Sequence, residues 1–229
     1  MRTNVLIRST DLIDNPTARV PICLCLDVSG SMYGDPIREL NEGVQLFYQA
    51  LAEDEIAAYS AEVCIVTFGM DGARLIADFS SIAYAARPPV LEAYGQTQMG
   101  EAVSLAMDKL MERKQQYKDN GVEYYQPWLV LMTDGAPNGN PEILQEAIRR
   151  VRHEVENRKL SVFPIGVGSE ADMRVLAQFS PKRDPLMLWG LAFREFFQWL
   201  SSSVSAVSQS RPGERVKIDV EAIKGWGEL

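Results

Sequence analysis

Pro21-Ile22-Cys23-Leu24-Cys25-Leu26-Asp27-Val28-Ser29-Gly30-Ser31-Met32 is an apolar run that ends abruptly in a carboxylate and two hydroxyls at alternate positions. From Arg19 to Leu26 the run is continuous, which fits a central strand buried on both faces. Asp27, Ser29 and Ser31 then fall where such a strand emerges into a loop. All three carry hard oxygen donors, the ligand type that a small divalent cation such as Mg²⁺ takes. Alone, they fit a strand-end turn residue followed by a hydroxyl-capped loop just as well. The other segments of the chain decide between the two.

Downstream, Gly34-Asp35-Pro36 opens a helix, with Asp35 expected at the N-cap and Pro36 at the first helical position. Ile37, Leu40, Val44, Phe47 and Leu51 keep the helical period. A turn near residues 58–60 leads into a second strand, Ala61 to Phe68. A hairpin at Gly69 to Gly72 returns as an antiparallel edge strand, Ala73 to Phe79. Pro88-Pro89 and Gly95 mark a long loop, and Thr97-Gln98-Met99-Gly100 starts the next helix. Pro127 to Thr133 is another fully apolar strand, and it too ends in a carboxylate, Asp134. Asn140-Pro141 caps a helix, and Leu160 to Val167 is a strand. Ser169 is expected to cap a short helix reaching Phe179. Leu186 to Trp189 is a short strand, and Leu191 to Val207 is the last helix.

Strand and helix alternate, with one hairpin. That order predicts an α/β fold: a doubly wound, mostly parallel six-stranded sheet with one antiparallel edge strand and helices on both faces. The expected organisation is an N-terminal arm or edge strand over 1–19, a domain over 20–207 and a C-terminal extension over 208–229. Within that extension, Val216 to Val220 is strand-like. Trp226 either packs back on the domain or anchors a partner, and packing back is favoured.

The totals limit the function. At 229 residues the chain can bury a sizeable core as one domain. A net charge of −8, from 31 acidic and 23 basic residues, argues against nucleic acid and anionic membrane surfaces as partners. No apolar run approaches a membrane span, and Met1 to Thr10 has no continuous apolar segment of the kind a signal peptide needs. Cys23, Cys25 and Cys64 all lie in apolar strand-like runs and read as reduced core residues, so a cytoplasmic location is expected. His153, the one histidine, sits in a charged stretch that reads as a solvated helix face. His-rich zinc sites are thereby excluded.

In a doubly wound sheet, ligands bind outside the carboxyl ends of the strands at the point where strand order reverses. Asp27 and Asp134 end the two strands expected to flank that point, and the Thr97 loop can reach the same crevice. Asp27, Ser29, Ser31, Thr97 and Asp134 therefore converge as five oxygen ligands from three loops. Two carboxylates balance one divalent cation, Mg²⁺ or else Mn²⁺ or Ca²⁺, with water completing the shell. A cation held this sparingly keeps an exchangeable position suited to a carboxylate from another protein. Tyr33, Met70, Met99 and Pro137 would ring the crevice, either as a partner-contacting rim or as ordinary loop packing.

The set D-x-S-G-S, Thr97 before a helix and Thr133-Asp134-Gly135 resembles the metal-ion-dependent adhesion site of von Willebrand factor A domains, with all five ligand positions matched. The resemblance covers roughly residues 20 to 207. It implies that the serines contact the metal directly, that the aspartates act directly or through water, and that Thr97 engages when the site is open. Gly34-Asp35-Pro36-Ile37, Pro127-Trp128, the Thr133 to Pro137 turn and the Phe193 to Ser210 helix more narrowly resemble the bacterial TerY/YegL-like group. That group is named for tellurite resistance and is often encoded beside kinases and phosphatases. The implied function is a metal-dependent protein–protein interaction module in a stress-response, signalling or defence system. The alternative is a metal-dependent phosphohydrolase-type enzyme. Against it, Ser29 stands where a haloacid-dehalogenase-like phosphatase has its general acid, and the chain has no phosphate-binding P-loop and no nucleophile elbow. A binding module rather than an enzyme is therefore the expectation.

Overall fold

The run that opens at Val20 forms β1 (Val20–Val28), buried along its whole length. The computed structural model describes residues 12, 14–69, 72–85, 87–214, 216, 221–223 and 225–228. The apolar patch Val5-Leu6-Ile7, Met70 and most of the strand-like Val216 to Val220 lie outside them. Alternate side chains of β1 serve two cores. Ile22, Leu24, Leu26 and Val28 point into one apolar cluster, while Cys23 and Cys25 point into the other. The first cluster is closed by α1 (Asp35–Glu53) and by α6 (Phe193–Ser208), through Leu40, Val44, Phe47, Phe193, Phe197 and Leu200. The second is closed by α3 (Met99–Asp119) and α4 (Pro141–Glu156), through Met99, Val103, Ala106, Ala147 and Val151.

Around β1 the sheet adds β2 (Ala61–Gly69), β3 (Gly72–Ser81), β4 (Trp128–Thr133), β5 (Ser161–Val167), β6 (Leu186–Leu188) and β7 (Gly227–Glu228). The order is β3-β2-β1-β4-β5-β6-β7. β1 pairs in parallel with both β2 and β4, so the strand order reverses between β1 and β4, as the sequence predicts. Two features correct the six-stranded expectation. A seventh strand comes from the tail, and it runs antiparallel to β6, so both edges of the sheet are antiparallel. Two residues carry no periodicity from which a strand could be read.

Smaller corrections concern helix starts. α1 begins at Asp35 itself, after Gly34, whose φ of 92° only glycine adopts without strain. Asp35 therefore sits in the first turn and bonds Arg38 rather than capping. The turn near residues 58–60 is a short helix, α2 (Glu55–Ser60), capped by Asp54. The short helix expected from Ser169 is α5 (Met173–Phe179), and its cap is Asp172. Asn140 caps α4 as expected, accepting from the Glu142 N–H at 2.8 Å. All three cysteines are free and buried, and His153 is exposed on α4. Trp226 packs back: its ring lies 6.4 Å from that of Trp199, and its indole N–H donates to the Ala222 carbonyl.

Candidate functional site

The last β1–β4 register pair is Leu26 and Met132, which sets Asp27 beside Thr133 and Asp134 just beyond. Asp27 follows Cys23 and Cys25 in the period of two, so its side chain leaves β1 on the face covered by α3. Thr97 lies two residues before the first residue of that helix. The sheet and the helix thus deliver three loops to one point.

The Asp27 carboxylate is held at both oxygens. The Ser29 N–H donates to Oδ1 at 2.8 Å, and the Thr133 hydroxyl donates to Oδ2 at 2.5 Å. The Ser29 and Ser31 hydroxyls are 3.1 Å apart, and the Ser31 hydroxyl donates to Asp134 Oδ1 at 2.8 Å. Four of the five sequence-predicted residues are therefore joined in one run of hydrogen bonds, Asp27 to Ser29 through the Ser29 backbone N–H and Ser29 to Ser31 to Asp134 through side-chain oxygens. Thr97 is brought in by backbone alone: the Asn138 N–H donates to its carbonyl at 3.0 Å, and two residues earlier the Gly30 N–H donates to the Gly95 carbonyl at 3.0 Å. The long loop is thus pinned to the Asp27–Ser31 loop on one side and to the Asp134 loop on the other. Thr97 is buried, but no side-chain hydrogen bond joins it to the other four.

Burial pushes the Asp27 carboxyl up to about 6, against hydrogen bonds from Ser29 and Thr133 that favour the anion; the nearby Asp134 adds a smaller upward push. Burial also raises Asp134, opposed by the Ser31 hydroxyl. Among the described residues neither carboxylate has a cationic partner, and no three His, Cys, Asp or Glu residues cluster as a metal site. A cation here would take two carboxylates plus hydroxyls. That donor set suits a hard divalent ion: the carboxylates are disfavoured as lone anions, and the hydroxyls are already oriented.

The rim departs from expectation in one place. Tyr33 is 80% exposed and Pro137 is half-buried, but Met99 is a core residue of α3, on the same inner face as Val103 and Ala106. Two contributors were missed from sequence. Thr133 was visible as part of the Thr-Asp-Gly turn, and its hydroxyl, level with Asp27 once the strands are paired, was the available signal. Tyr94, whose N–H donates to the Val28 carbonyl at 2.9 Å, had no signal in a loop without periodicity.

Residues 22–188 match the family model described as von Willebrand factor type A domain. The chain belongs to the von Willebrand factor type A domain family. Among solved structures, it is similar to the vWF domain of the type V pili tip protein Mfa5 from Porphyromonas gingivalis (TM-score 0.60, 10% identity, 88% of this chain and 99% of that one). It is also similar to a von Willebrand factor type A protein from Catenulispora acidiphila (0.59, 17%, 82% and 43%). A third is proximal thread matrix protein 1 of the mussel byssus, solved with a zinc-occupied MIDAS motif (0.53, 15%, 82% and 48%). The chain spans about half the length of the mussel protein. At these identities the likeness shows the fold. No curated protein matches the chain by sequence. No helix among the described residues is long and apolar enough to cross a membrane.

Proposed function

We propose that this domain is a metal-dependent protein-interaction module that takes up a partner's carboxylate at the Asp27–Ser29–Ser31–Thr97–Asp134 site. The observation that carries the reading is the continuous run of hydrogen bonds from Asp27 through Ser29 and Ser31 to Asp134, with Thr97 pinned between its two loops. Mg²⁺ is the cation proposed: two carboxylates neutralise its charge and leave water-filled positions that an incoming carboxylate can enter. The mussel protein's zinc-occupied motif supports a metal at this place in the fold. Residues 20–207 are taken as the module, with 1–19 as an arm and 208–229 as an extension.

The narrower likeness to the TerY/YegL-like group supports a cytoplasmic stress-response, signalling or defence setting, with a kinase, phosphatase or other subunit as partner. Binding rather than catalysis is favoured because His153, the one histidine and the commonest general acid or base, lies exposed far along α4. The test is capture of partner proteins by wild type with Mg²⁺, repeated in chelator and with Asp27→Ala. Capture should need the metal and be lost in the variant, which in chelator should melt no lower than wild type. Capture that persists in excess chelator, or Mg²⁺-dependent phosphoester turnover lost in Asp27→Ala, would overturn the reading.

A further inference from the structure

Beside α6 on the first core face, β5 and β6 carry the buried apolar residues Phe163, Ile165 and Leu186. A cavity of about 300 Å³ lies there, walled by Phe163, Ile165, Leu186, Trp199 and Ile223. The walls are apolar and fixed: Phe163 meets Trp199 edge-on at 6.1 Å, and Ile223 comes from the tail turn at Glu221–Ile223. None of these residues belongs to the Asp27–Asp134 site.

Among the described residues the lining carries one charge of each sign, Arg183 and Asp184. Both are exposed, and the Arg183 guanidinium lies 5.6 Å from the Phe163 ring centroid. Among the described residues neither has an ion-pair partner. An apolar hollow with a cation and an anion at its edge is the complement of a small zwitterion with an apolar body. At about 30 Å³ per water-sized group, the cavity takes roughly ten heavy atoms, and it sits at the lower end of ligand-pocket sizes.

We propose that this cavity binds a free α-amino acid with a large apolar side chain. The side chain lies between Phe163, Trp199 and Ile223, the carboxylate meets Arg183 and the ammonium meets Asp184. Each ligand charge is then answered at the rim, and the side chain leaves water for a preformed apolar pocket. A purely anionic ligand would face Asp184 and a purely cationic one Arg183, so single-charge analogues bind less well.

The test is isothermal titration of the full chain with L-phenylalanine, phenethylamine and 3-phenylpropionate. Phenylalanine should bind saturably, and each analogue should bind at least about tenfold more weakly. Arg183→Gln should close the gap between phenylalanine and phenethylamine, and Asp184→Asn the gap to 3-phenylpropionate. Both substitutions are on exposed side chains, and unchanged melting curves confirm the fold. Absence of saturable binding, equal affinity for all three compounds, or gaps that persist in the variants would overturn the proposal.

Discussion

The hydroxyl of Thr133, at the end of β4, donates to Oδ2 of Asp27, at the end of β1, at 2.5 Å, and both residues are almost wholly buried. With the Ser29 N–H on Oδ1, this bond fixes the plane of the carboxylate before any cation arrives. Partners of this kind, one step out from a ligand, typically govern metal affinity by 10–100-fold. Thr133→Val keeps the side-chain shape and removes the donor, so Mg²⁺ affinity by isothermal titration should fall by about tenfold or more. Thr133→Ser should restore most of it. Equal affinity in all three proteins would show that Thr133 only fills space.

Metal binding should appear as stability. A ligand that binds only the folded state adds about 2.7 kcal/mol at one hundred times its dissociation constant. Mg²⁺ should therefore raise the melting temperature of wild type and leave Asp27→Ala and Asp134→Ala unmoved. In chelator, both variants should melt at or above the wild-type temperature, because each removes a carboxylate that burial disfavours. A melting temperature indifferent to Mg²⁺ in wild type would argue against the site.

Most of this framework was legible because it rests on period and punctuation. Apolar runs ending in Asp27 and Asp134 give two buried parallel strands, and alternation with helices makes them neighbours. The parts that were hidden depend on pairing between distant strands or on single residues. Thr133 matters only because the register sets it against Asp27. Met99 reads as a rim residue from its place beside Thr97, but the turn of α3 rotates it into the core. The β7 pairing, two residues long, has no pattern to read, and the short helix α2 is too brief for its period to show.

Gly69 closes β2 with a φ of 147°, and a β-carbon placed there would lie 2.5 Å from the Val28 carbonyl oxygen and 2.9 Å from the Ser29 nitrogen. These are backbone atoms of the metal loop and cannot yield by a rotamer change. Gly69→Ala should therefore displace the Val28–Ser29 peptide and the hydrogen bond it aims at Asp27. Weakened Mg²⁺ binding together with lost stability is expected; Gly121→Ala, where a β-carbon meets open space, controls for backbone strain at a positive φ. Equal effects of the two substitutions on Mg²⁺ affinity would remove the link to the loop.

Asp54 caps α2 by accepting from the Ile56 and Ala57 N–H groups at 3.0 Å each, and it also takes Gln209 at 3.3 Å from the end of α6. The Ala57 N–H leads in lowering its pKa below the usual carboxylate value. Asp54→Ala should cost about 1 kcal/mol by denaturant melting at neutral pH. Because the folded pKa lies below the unfolded one, that contribution is complete above about pH 4 and fades as pH falls through the folded value. The gap between wild type and variant should accordingly narrow in acid and stay constant from pH 5 to pH 7.

Glu62 sits at the other end of the sheet, paired with Pro21 near the start of β1, and its carboxylate is shared by two arginines. Arg19 reaches Oε1 at 3.1 Å, Arg113 reaches Oε2 at 2.6 Å and Oε1 at 2.8 Å, and the Tyr117 hydroxyl also donates to Oε2. All four side chains are buried. Arg19 also donates to the Asn15 carbonyl at 2.9 Å and to that of Thr17, which ties the segment before β1 to the domain. Removing the Glu62 carboxylate takes the paired anion from the buried Arg113 guanidinium, and such a loss typically costs about 3–5 kcal/mol. Glu62→Gln keeps the size and two hydrogen-bonding atoms, so it should destabilise less than Glu62→Ala and remain folded enough for titration. Because the cluster lies across the sheet from Asp27, the Mg²⁺ affinity of the folded Glu62→Gln protein should stay within about twofold of wild type. A large loss of affinity at full folding would instead couple the two ends of β1.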